Sequence, residues 1–89
     1  MKVKKIMYAP TAVVQFTYKF NKENNTNIER ESVEYLDGSP FVTIDLKETS
    51  QNLIFEYSYE LGRIQNYLAK RGEELLPLQD YPFPPEGNR

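Results

Sequence analysis

The chain has no cysteine and no histidine. The first absence removes disulfides, thiolate metal sites and cysteine nucleophiles together. The second removes the side chain that ordinarily serves as general base near neutral pH, so catalysis would need a raised carboxylate, a lowered lysine or a tyrosine. No run of apolar residues approaches the length of a membrane span. The opening MKVKKIMYAP is basic but lacks an apolar stretch of about seven or more residues and a small-residue cleavage site, so it does not read as a signal peptide. Phosphate loops and calcium loops are missing as well. Glu29, Glu31, Glu34 and Asp37 lie in a strand-like run whose side chains alternate faces, which makes them edge-strand charge rather than ligands. Glu56 and Glu60 stand one helical turn apart, and with nothing else converging on them they read as a solvated flank. These exclusions lead to the expectation of a non-enzymatic chain with no cofactor and no metal, placed in the cytoplasm. The lysine, asparagine, glutamate and isoleucine usage is of the kind found in AT-rich bacterial or phage genomes.

What remains is an 89-residue chain, enough for one domain. At this size about 60 to 65% of the unfolded surface is buried on folding, so a partner or a second copy is a natural source of extra stability. The net charge of −2 conceals a polarity along the chain. Residues 1–22 hold five lysines and no acid, hence +5; residues 23–48 hold seven acids against Arg30 and Lys47, hence −5. Adjacent strands of opposite charge would neutralise one another in a sheet.

The longest patterned run is Ser50 to Gly72. Ile54, Tyr57, Leu61, Ile64 and Leu68 recur at spacings of three and four and fall, with Leu53, on one arc of a helix. Thr49 or Ser50 can cap its start, Lys70 and Arg71 suit its negative end, and Gly72 can stop it. Leu53, Phe55, Tyr57, Tyr59 and Leu61 also alternate as a strand would, so a strand ending near Glu60 is the rival reading; Ile64 and Leu68 continue the helical phase and favour the helix.

Upstream, Val3–Tyr8 and Ala12–Phe20 read as strands separated by Pro10, with Val14, Phe16, Tyr18 and Phe20 on the core face and Gln15, Thr17 and Lys19 on the wet one. Asn21 to Asn27 reads as a loop. Ile28–Leu36, rich in charge, reads as an edge strand, Asp37-Gly38-Ser39-Pro40 as a turn, and Phe41–Leu46 as the second strand of a hairpin. The sum is an α+β domain over residues 1–76: an antiparallel sheet of three to four strands within about 2–46, packed by one long helix over about 50–71. Residues 77–89 follow as a proline-rich extended tail.

Three functional expectations follow. The first is a protein-binding module, self-associating or contacting another protein in the manner of a phage or mobile-element accessory protein or inhibitor. Phe55, Tyr59 and Gly62, opposite the core arc, would form its interface, joined by Tyr81 and Phe83 of the tail. The second is a single-stranded nucleic-acid binder using Lys2, Lys4, Lys5, Lys19 and Lys22, interleaved with aromatic rings. Against it stands an acidic chain with a pI near 5.1. The third is small-ligand capture between helix and tail, which has no signature beyond the surplus of tyrosines.

Overall fold

The computed structural model describes residues 1–73, 76–79 and 81. Strands β1 (Lys2–Ile6), β2 (Glu29–Leu36) and β3 (Ser39–Asp45) form an antiparallel sheet in the order β1-β3-β2. Helix α1 (Pro10–Asn24) connects β1 to β2, and α2 (Gln51–Lys70) follows β3. The architecture is therefore α+β, with three strands and two helices among the described residues. Most of the proline-rich tail, Phe83 included, lies outside the described residues.

The expected strand Ala12–Phe20 is instead the body of α1, and the physical reason lies at both of its ends. Pro10 occupies the first turn of the helix, where its missing N–H costs nothing and its fixed φ is already helical, so it starts an element rather than bending between two. Asn25 adopts a left-handed conformation (φ 55°) and donates its N–H to Asn21 O, stopping the helix four residues into the expected loop. The buried set is Ala12, Val13, Gln15, Phe16, Thr17 and Phe20. Gln15 and Thr17, expected to be wet, are thus in the interior, while Val14 and Tyr18 are only half-buried.

The hairpin forms where Asp37 and Gly38 both take positive φ (53° and 80°), as a two-residue primed turn requires. In β3 the even positions Pro40, Val42 and Ile44 are buried and the odd positions Phe41, Thr43 and Asp45 are half-buried. Val3 and Val33 stand opposite Ile44 and Val42 and share their face. The register of β2 slips between Arg30 and Ser32, so that Arg30 and Val33 face the core although they stand three apart. This bulge explains why β2 shows no clean alternation in the sequence.

The core joins Val42, Ile44 and Leu46 to Val13, Phe16 and Phe20 of α1 and to Tyr57 and Leu61 of α2. At its centre Phe16, Phe20 and Tyr57 meet with ring centroids 5.3 to 5.8 Å apart, separations at which aromatic pairs add to plain burial. Tyr57 is 2% exposed, and its hydroxyl and that of Thr17 share a 2.6 Å hydrogen bond.

On the other face of the sheet, charge is matched across β3. Lys2 reaches Glu31 at 3.1 Å and Lys4 reaches Glu34 at 2.7 Å. Below them Lys47 meets Glu29 and the N-terminal ammonium meets Asp45. The carboxyl of Asp45 is held below its ordinary range chiefly by the backbone N–H of Lys47, with smaller help from nearby cations. The opposite charges of residues 1–22 and 23–48 meet here.

Candidate functional site

Helix α2 sets the geometry of the candidate surface. Ser50 caps it through a 3.4 Å hydrogen bond from Leu53 N–H, and its apolar arc locks the rotation by burying Tyr57, Leu61 and Leu68. With about 100° between successive residues, Phe55, Tyr59 and Gly62 then project away from the core along one line. Phe55 is 73% and Tyr59 60% exposed. Above Gly62 there is open space where a side chain would stand. Beside this line run Glu56, Glu60, Arg63 and Lys70, and the guanidinium of Arg63 donates to both carboxylate oxygens of Glu60 at 3.0 Å. Residues 53–60 are helical throughout, which decides against the rival strand.

Tyr81 does not join this surface. Its ring lies against Phe16, with centroids 6.2 Å apart, and the Lys19 ammonium sits 4.9 Å from its centroid. Of the five residues expected at an interface, Phe55, Tyr59 and Gly62 share one face, Tyr81 packs near the core, and Phe83 lies outside the described residues.

The five lysines are divided among three settings. Lys2 and Lys4 face carboxylates on the outer side of the sheet. Lys5 stands opposite Val42, hence on the helix side, and is exposed. Lys19 and Lys22 lie on α1, the first paired with Glu23 at 3.0 Å and the second 5.3 Å from the centroid of the Tyr18 ring. Hydrogen bonding to Glu31 and to Glu23 raises the pKa values of Lys2 and Lys19 respectively.

A cleft of about 1270 Å³ opens between the C-terminal end of α1 and the start of α2, walled largely by Asn21, Asn24, Asn25, Asn27, Thr26 and Thr49. It is broad and open, and Tyr18, Ile28 and Leu53 give it apolar wall as well. Asn21 works on the structure rather than into the cleft: its amide accepts from Ile28 N–H (3.0 Å) and Thr26 Oγ1 (2.8 Å) and donates to Ile28 O (2.8 Å). Among the described residues no group of three or more acidic side chains is placed to hold a metal ion, and no helix is long and apolar enough to cross a membrane. Comparison with protein-family models, curated proteins and solved structures finds no match.

One residue that pattern reasoning placed in water turns out to organise a site. Gln15 is fully buried, and its side-chain hydrogen bonds go to the backbone of Leu78 and Tyr81. The only hint in the sequence is that Gln15 sits among Ala12, Val13 and Phe16, inside what becomes the apolar stripe of α1.

Proposed function

We propose that this chain is a non-enzymatic protein-binding module whose contact surface is the outward face of α2, and that a second copy of the chain fits that face. The observation that carries this reading is the exposure of Phe55 and Tyr59, one turn apart on a well-anchored helix and beside a glycine with open space above it. Two large rings left in water on a small domain cost solubility, and their burial against a partner returns apolar area and aromatic contacts.

The pattern along α2 suits an antiparallel twofold pairing centred near Gly62. Phe55 and Tyr59 occupy one half of the face, and Gly62, Asn66 and Ala69 the other, so large residues meet small ones across the axis. Glu56 and Glu60 then lie on the same flank as Lys70 and Arg63 of the facing helix, matching charge. A parallel pairing would put the two charged flanks on opposite sides and lose that match.

The test is the double variant Phe55→Ser/Tyr59→Ser. Light scattering over a concentration series is expected to show a dimer for the unmodified chain and a monomer for the variant, with the same helical circular dichroism. A unmodified chain that stays monomeric at high concentration, or a variant that unfolds, refutes the proposal; unfolding would place these rings in the core.

A further inference from the structure

The described end of the chain runs across α1 and α2 as a bound peptide would. Leu78 packs onto Ala9, Ala12 and Leu68, where two alanines leave room for its side chain, with Ile64 alongside. Three residues on, Tyr81 covers Phe16 under the Lys19 ammonium. Between these two contacts Gln15 Oε1 accepts from Leu78 N–H at 2.6 Å, and Gln15 Nε2 donates to Leu78 O at 3.2 Å and Tyr81 O at 3.3 Å.

A primary amide presents an N–H donor and a C=O acceptor side by side, as a residue of a β-strand does, with a second N–H to spare, so it pairs with the N–H and C=O of an extended chain without regard to the side chain there. Selectivity comes from the flanking contacts, one shaped for leucine and one for an aromatic ring. Gln79, between them, is exposed. A fully buried amide in an apolar helix stripe is costly unless something fills both of its bonding positions. Among the described residues, every side-chain hydrogen bond of Gln15 goes to Leu78 or Tyr81. An open cleft of about 740 Å³ continues beside it, walled by Arg63, Tyr67 and Arg71, and leaves room for a longer occupant.

We propose that the groove between α1 and α2 is a recognition site for an extended partner peptide carrying a leucine and, three residues later, an aromatic, and that Leu78 and Tyr81 of this chain are its resident occupants. The resident segment is tethered, so it competes at an effective concentration in the millimolar range, and a free peptide must displace it. This groove is separate from the Phe55–Tyr59 face, so either proposal can fail without the other.

The probe is a fluorescein-labelled peptide with the sequence of residues 76–82, LPLQDYP, measured by polarisation against the full-length chain. Leu78→Ser/Tyr81→Ser, which weakens the resident segment and leaves the groove intact, is expected to bind it at least tenfold more tightly than the unmodified chain does. Adding Gln15→Leu to that variant is expected to weaken binding at least tenfold, as is replacing leucine and tyrosine of the peptide by serine. Equal binding in any of these three comparisons, or no binding to a folded Leu78→Ser/Tyr81→Ser chain, overturns the proposal. Should that variant lose its circular dichroism signal, the peptide is titrated into the unmodified chain and the exchange rate of the Leu78 amide is followed. Faster exchange supports displacement, and an unchanged rate at millimolar peptide refutes it. If the unmodified chain dimerises and Leu78→Ser/Tyr81→Ser alone abolishes the dimer, the occupant is the same segment of a second copy, and the partner-peptide reading is overturned.

Discussion

The Thr17–Tyr57 hydroxyl pair offers a quantitative test of how the two helices are held together. Both side chains are about 2% exposed, and they face each other across the α1–α2 contact at 2.6 Å. Tyr57→Phe leaves the Thr17 hydroxyl buried without this partner, and Thr17→Val does the same to the phenol. Each single change is expected to cost about 1–3 kcal/mol. The double change removes both polar groups while nearly conserving volume, so it should cost no more than about 1 kcal/mol, giving a coupling of about 1–6 kcal/mol in magnitude. Urea unfolding followed by far-ultraviolet circular dichroism measures all four proteins. In a domain of this size 1 kcal/mol corresponds to roughly 4–8 °C in Tm.

The same pair predicts a response to alkali. Burial pushes the Tyr57 phenol up to about 12 from its ordinary value near 10, with the hydrogen bond to Thr17 acting in the opposite direction. Because the folded pKa is the higher one, the unfolded chain loses this proton first. The stabilisation is complete below about pH 10 and disappears as pH rises through about 12, amounting to on the order of 2–3 kcal/mol. Tyr57→Phe should remove that part of the alkaline slope, isolating it from the titration of lysines and other tyrosines. Additive single and double changes, or an alkaline slope identical in Tyr57→Phe, would refute the reasoning.

Two further outcomes are expected. Phe16→Ala empties the centre of the aromatic cluster and should destabilise the domain by about 3–5 kcal/mol in the same urea assay; a loss under about 1 kcal/mol would mean the rings do not form the core. Asn21→Ala removes the amide that holds Ile28 and Thr26, and should cost about 1–3 kcal/mol while speeding amide exchange at Ile28 by tenfold or more. Unchanged exchange there would show that the α1–β2 connection is held by something else.

The elements that could be read in advance are those in which one periodicity dominates. The β2–β3 hairpin is announced by Asp37-Gly38, and α2 by an apolar stripe that stays in phase from Ile54 to Leu68. Helix α1 was hidden because Val14, Phe16, Tyr18 and Phe20 satisfy strand alternation, and because its buried set includes Gln15 and Thr17, whose polarity breaks the helical stripe. Both polar residues are satisfied by partners far along the chain, Leu78 with Tyr81 and Tyr57, which local pattern cannot supply. The exposed side of α2 was legible because it is the complement of a clear core arc. The groove across α1 was not, since its key residue resembled a wet position on a strand.

The strand order carries a consequence for folding. β2 and β3 are joined by a two-residue turn and can pair as soon as they exist, whereas β1 must close on β3 across the whole of α1 and the hairpin. Until it does, the most apolar strand of the sheet presents an open hydrogen-bonding edge to any neighbouring molecule. The strand that finally covers that edge carries Lys2, Lys4 and Lys5, which the acidic hairpin attracts, whereas two acidic hairpins meeting edge to edge repel each other. Charge here selects the intramolecular closure over the intermolecular one, and high salt during refolding weakens that selection and favours aggregates.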